Sequence, residues 1–159
     1  MKVAVLMGSP NDKDKMAGAA KVLGELGIEA DVRVMSAHRD PEAVSDFVAA
    51  ARDAGYGVII CGAGMAAHLA GAAAARTTLP VIGVPLSGGL SGGLDALLAT
   101  VQMPPRVPVA TVAVDGSANA GLLAAQILGV ADEEIAKKLD ARKREAQGSG
   151  TPPEGGRSA

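Results

Sequence analysis

The chain holds two histidines, His38 and His68, and each sits in a polar loop that follows a short apolar run. Imidazole is the side chain whose ordinary pKa lets it give and take a proton near neutral pH. His38 belongs to Ser36-Ala37-His38-Arg39-Asp40, which sets a hydroxyl, an imidazole and a guanidinium together just before Pro41. The fork of Arg39 matches the geometry of a phosphate. A capped loop with solvated charges is the alternative. Against it, an arginine at a helix start opposes the helix dipole, and a bound anion relieves that conflict. His68 belongs to Gly62-Ala63-Gly64-Met65-Ala66-Ala67-His68-Leu69-Ala70-Gly71, where glycines let backbone approach a ligand closely. It reads equally as a proton-transfer group and as a structural histidine at the start of an Ala-rich helix. A third loop, Gly8-Ser9-Pro10-Asn11-Asp12, offers small polar side chains at a helix N-terminus. That suits a phosphate, and it also fits an ordinary N-cap turn.

These loops need a frame. Apolar, β-branched runs at Val3–Met7, Ala30–Met35, Gly57–Cys61, Val81–Val84 and Val109–Val114 read as strands. Four are nearly continuous in apolar character, as expected of parallel strands covered on both faces. Ala30-Asp31-Val32-Arg33-Val34 alternates instead, which suits a sheet edge. Helical patterns occupy Asp12–Leu26, Pro41–Ala54, Met65–Ala75, Leu94–Val101 and Ala118–Leu128, with a last amphipathic helix at Asp132–Ala146. Asp40-Pro41-Glu42 reads as cap, first-turn proline and first-turn acid. This alternation predicts an α/β fold: a three-layer, doubly wound parallel sheet of flavodoxin-like order 2-1-3-4-5 plus a C-terminal helix. One catalytic domain is expected over 1–147, followed by a polar, mobile tail over 148–159. Ligands of such sheets bind beyond the carboxyl ends of the strands, where the three polar loops fall.

Composition removes whole classes of function. Hydrophobic residues make up 48% of the 159, enough for one sizeable core. The net charge of -2 and the lack of any aromatics beyond Phe47 and Tyr56 argue against a nucleic-acid partner. The lone Cys61 cannot form an intrachain disulfide and fits a reducing compartment. The opening Lys2-Val3-Ala4-Val5-Leu6 lacks the pattern of a signal peptide, and no apolar run reaches the length of a membrane span. The expectation is a cytoplasmic chain with no membrane partner. Two separated histidines and one cysteine make no metal-ligand set. No Gly-x-Ser-x-Gly elbow is present for a serine hydrolase.

The motifs together resemble those of the N5-carboxyaminoimidazole ribonucleotide mutases, the class I catalytic subunits of phosphoribosylaminoimidazole carboxylase in purine biosynthesis. Met7-Gly8-Ser9-Pro10-Asn11-Asp12 with Met16, Ser36-Ala37-His38-Arg39, and Gly62-Ala63-Gly64-Met65-Ala66-Ala67-His68-Leu69 are similar to the first three family motifs. Leu79-Pro80-Val81-Ile82-Gly83-Val84-Pro85, Gly93-Leu94-Asp95-Ala96-Leu97-Leu98, Val101-Gln102-Met103-Pro104 and Asn119-Ala120-Gly121-Leu122-Leu123-Ala124-Ala125 follow in family order. The resemblance runs from about Val3 to Leu128. It departs at Asn11, Asp40, Met65 and Ala70, where Ser, Thr, Gly and Pro are usual.

The resemblance implies transfer of a carboxylate from the exocyclic nitrogen of a ribonucleotide to ring carbon C4, without metal or organic cofactor. It implies that His38 moves the proton, with His68 in the same pocket. Ser9, Asn11, Ser36 and Arg39 would cradle the 5′-phosphate, with Ala37 beside them, and Asp12 would take the ribose hydroxyls. Gly62, Ala63, Gly64, Met65, Ala66 and Leu69 would line the base and carboxylate pocket. It also implies a homo-octamer. Two alternatives stand beside this reading. One is a direct, carbon dioxide-dependent aminoimidazole ribonucleotide carboxylase, a class in which Lys usually replaces Arg39 and the Ala66-Ala67-His68 run is lacking. The other is a non-catalytic nucleotide-binding domain on the same scaffold.

Overall fold

A computed structural model describes residues 1–148 of the chain. Five parallel strands, β1 (Lys2–Met7), β2 (Ala30–Val34), β3 (Tyr56–Gly64), β4 (Val81–Leu86) and β5 (Ala110–Thr111), form one sheet in the order β2-β1-β3-β4-β5. The helices are α1 (Lys13–Glu25), α2 (Pro41–Ala50), α3 (Leu69–Ala74), α4 (Leu94–Val101), α5 (Ser117–Gly129) and α6 (Glu133–Gly148). The order 2-1-3-4-5 and the C-terminal helix are those read from the sequence. The expected polar tail lies, beyond Gly148, outside the described residues.

The buried side chains explain why the central strands read as unbroken apolar runs. Val3, Val5 and Met7 of β1 with Val58 and Ile60 of β3 face one core, shared with Met16, Leu23, Ala120 and Leu128 of α1 and α5. Ala4, Leu6, Ile59 and Cys61 face the opposite core, shared with Val44, Val48, Leu69 and Ala73 of α2 and α3. Both faces are covered, so no strand position needs a polar residue. Each fully buried Ile or Leu contributes about 1.5–3 kcal/mol by leaving water. Cys61 is 1% exposed, and burial pushes its thiol up to about 12.

One glycine fixes how closely the helices meet. A Cβ on Gly121 of α5 would stand 2.8 Å from the Ala19 carbonyl oxygen and 3.2 Å from its Cα, so the backbones of α1 and α5 touch there.

Three details differ from the sequence reading. β3 runs on through Ala63 and Gly64, which pair with Pro85 and Leu86, and α3 begins only at Leu69 rather than Met65. Met65, at φ 51, belongs to neither regular geometry. β5 pairs at two residues rather than six. Pro108 has no amide to offer just before it, and Asp115, at φ 56, turns the chain away after it. β2 does form an edge, but Val32 and Val34 stay 48% and 43% exposed. Among its apolar residues Ala30 packs against the core.

Candidate active site

A cleft of about 460 Å³ opens beyond the carboxyl ends of β1 to β4. The loop after β1 contributes Gly8, Ser9, Asn11 and Asp12 to its wall. Ser9 has extended backbone, and its hydroxyl accepts from the Asn11 amide at 3.2 Å, starting a 3-10 turn over Pro10–Asp12 that leads into α1. Pro10 suits the first position of that turn because no amide is needed there. Partial burial raises the pKa of the Asp12 carboxyl above its ordinary value, with a backbone hydrogen bond to Ser9 and the charge of Lys15 opposing.

The loop after β2 contributes Ser36, Ala37, His38 and Arg39. It is folded on itself, with the Arg39 amide donating to the Ser36 hydroxyl at 3.3 Å and the Asp40 amide to the Ser36 carbonyl at 2.9 Å. The Asp40 carboxylate accepts from the Ala43 amide at 3.1 Å and so caps α2, with Pro41 in its first turn. Asp40 is absent from the cleft wall, so the extra acid placed after Arg39 serves the helix. Arg39 Nη2 donates to the Gly8 carbonyl at 2.6 Å, tying the second loop to the first.

The loop after β3 contributes Ala63, Gly64, Met65, Ala66, His68 and Leu69. Met65 holds its positive φ with its side chain 65% exposed. Two short turns follow, the Ala67 amide reaching the Met65 carbonyl and the His68 amide the Ala66 carbonyl, both at 2.9 Å. His68 is thereby placed at the cap of α3. There it meets His38. His38 Nε2 and His68 Nδ1 lie 2.7 Å apart, with the rings edge to face at 4.9 Å between centroids. One of these nitrogens carries a proton that the other accepts. Two residues thirty positions apart thus form a single proton-sharing unit at the cleft.

The sequence model described as AIRC: AIR carboxylase matches residues 2–149. The chain belongs to the AIR carboxylase family. It is 50% identical over 143 residues to the N5-carboxyaminoimidazole ribonucleotide mutase of Bacillus subtilis, covering 89% of this chain and 88% of that protein. It is 53% identical over 138 residues to the mutase of Mycobacterium tuberculosis strain H37Rv, covering 87% and 79%. The crystal structure of Treponema denticola PurE superposes with a TM-score of 0.82 at 28% identity, covering 92% of this chain and 91% of that one.

The cleft gathers every candidate residue named from the sequence except Gly62. Gly62 is buried in β3, paired with Met7 and Val84, and a Cβ there would stand 2.3 Å from the Met16 sulfur. Its place in the motif follows from packing under the loop rather than from a position on the cleft wall.

A fourth loop, Ser87, Gly88 and Gly89 after β4, also lines the cleft, and the sequence reading missed it. It carries no ionisable side chain to draw notice. The available signal was a Ser-Gly-Gly triplet directly after an apolar strand run, repeated at Ser91-Gly92-Gly93. Ser87 is anchored by its amide, which donates to Asp115 Oδ1 at 2.9 Å. Among the described residues no three His, Cys, Asp or Glu side chains are grouped to hold a metal ion, and no helix is long and apolar enough to cross a membrane.

Proposed function

We propose that this member of the AIR carboxylase family is an N5-carboxyaminoimidazole ribonucleotide mutase. It moves the carboxylate from the exocyclic nitrogen to C4 and yields 4-carboxy-5-aminoimidazole ribonucleotide for purine biosynthesis. The observation that carries the reading is the 2.7 Å contact between His38 and His68 at the cleft. The extensive identity to named mutases supports it.

The chemistry needs one group that first gives a proton and then takes one back. Protonating the carbamate nitrogen lets its bond to the carboxylate carbon break, with carbon dioxide leaving and an electron-rich aminoimidazole remaining. C4 then attacks carbon dioxide and forms the new C–C bond. Loss of the C4 proton restores aromaticity. His38 supplies the first proton and recovers the second, so protons balance over the cycle with no further reactant. His68, hydrogen-bonded to it, sets the tautomer and ring direction of His38, as a second group does in other catalytic pairs. The walls then have two tasks, to position the ring and to keep carbon dioxide from escaping.

The proposed binding roles follow the loops. Ser9, Asn11, Ser36 and Arg39 hold the 5′-phosphate where the first two loops are joined. Asp12 accepts from the ribose hydroxyls. Ala37 lies beside that phosphate cradle, and Ala63, Gly64, Met65, Ala66 and Leu69 surround the base and carboxylate. The enzyme acts in the cytoplasm without metal or organic cofactor, as one domain over 1–147, and assembles as a homo-octamer. Leu94, Leu98 and Val101 lie one turn apart along α4 and are 47–49% exposed, an apolar stripe that supports self-association.

The test is turnover of the carbamate nucleotide by the wild type and by His38→Asn, which keeps a polar side chain but cannot shuttle a proton. His38→Asn is expected to lose at least about a hundredfold in kcat, with nucleotide binding largely kept. Near-normal turnover by His38→Asn with none by His68→Asn would reverse the two roles. Carboxylation of aminoimidazole ribonucleotide by carbon dioxide alone, with the carbamate left untouched, would move the chain to the direct carboxylases.

A further inference from the structure

The wall formed by Ser87, Gly88 and Gly89 poses a physical problem. Four of the seven residues from Ser87 to Gly93 are glycine, so the segment has much backbone freedom to lose. Its second half is tied by Asp95, whose carboxylate accepts from the Leu90 amide at 2.9 Å. Its first half is tied from a distant part of the chain. Lys15 Nζ, one turn into α1, donates to the Ser87 carbonyl at 2.6 Å and to the Ser87 hydroxyl at 2.9 Å. The Ser87 amide donates in turn to Asp115 at 2.9 Å. Every polar group of Ser87 is therefore held, although the residue lines the cleft.

Lys15 itself is fixed. It is half-buried on α1, and its carbonyl accepts from the Ser117 hydroxyl at 2.6 Å. It stands three residues after Asp12, so both lie on one face of the helical start. Its ammonium opposes, without overcoming, the burial that raises the Asp12 carboxyl, and against burial it joins the Ser87 hydrogen bonds in holding the Asp115 carboxyl below its ordinary value. One cation thus joins the first turn of α1, the loop after β4 and the turn before α5. Lys15 is not on the cleft wall, so it acts through Ser87.

We propose that Lys15 is a positioning residue that clamps the Ser87-Gly88-Gly89 wall of the cleft and so presets the shape into which the nucleotide fits. The kinetic part of this inference rests on the mutase reading, while the clamp itself does not. A wall already ordered costs the ligand nothing to order, so the clamp contributes to binding rather than to the chemical step.

Two measurements on the full chain test it, amide hydrogen exchange over residues 87–93 and a separation of KM from kcat. Lys15→Met keeps most of the stem and removes the charged donor. It is expected to speed exchange at the Ser87 amide, which donates to Asp115, while β1 and β3 stay protected. It is also expected to raise KM about tenfold, the usual scale for losing a charge-assisted hydrogen bond, with kcat close to wild type. Lys15→Arg should restore much of both. Should Lys15→Met not fold, Ser87→Ala removes one of the two acceptors and is expected to give the same changes in smaller measure. Unchanged exchange overturns the clamp. Faster exchange with unchanged KM, or a fall confined to kcat, overturns its role in binding. A wild type inactive on the carbamate nucleotide would fell the mutase reading alone, and exchange would still decide the clamp.

Discussion

Met65 occupies a left-handed backbone position that costs a non-glycine side chain about 1–2 kcal/mol. It holds that position on the cleft wall with its thioether chiefly in water, so its own burial does little to offset the strain. Met65→Gly removes the strain, and the greater freedom of glycine in the unfolded chain takes back about 0.5–1 kcal/mol. A net stabilisation of up to about 1 kcal/mol is expected, read as a small rise in Tm by calorimetry. Met65→Val, with a branched side chain at the same φ, should lower Tm. Met65 departs from the resembled pattern, which implies glycine there, and the positive φ of this position gives that preference a physical reason. His38 and His68 were likewise each placed at the rim by their loops. Their contact was not legible, because nothing local links positions thirty residues apart.

At the scale of elements, glycines at two helical positions should respond in opposite ways to the same change. Gly24 near the end of α1 has open space where a Cβ would stand. Gly24→Ala should stabilise by about 0.5–1 kcal/mol through helix propensity. Gly121→Ala gains the same propensity, but its Cβ meets the backbone of Ala19, which cannot swing aside as a side chain can. Overpacking costs about 1–3 kcal/mol, so a net loss is expected in denaturant titrations. The sheet order was legible because β1, β3 and β4 carry unbroken apolar runs between helical patterns. The end of β3 was not, since Ala63 and Gly64 carry no periodic signal and are strand only because Pro85 and Leu86 pair with them. Three of the four cleft loops could be found because polar and ionisable residues follow a strand. The fourth owes its place to Lys15 and Asp115, which lie 72 positions before and 28 after Ser87.

For the whole molecule, the proposed octamer predicts one species of about eight times the 15.7 kDa chain mass by light scattering at micromolar concentration. A monomer under those conditions would remove the octamer from the proposal and leave the apolar stripe on α4 without a partner. Cys61 gives the molecule a second global property. Its thiol lies in the sheet centre, walled by α2 and α3, and its pKa of about 12 leaves almost no thiolate at pH 8. Native protein is therefore expected to resist thiol-specific reagents, and labelling should follow the rate at which the sheet opens. In denaturant the thiol should react at once. The only cysteine in the chain thus serves as an internal clock for unfolding, readable by mass with no probe introduced.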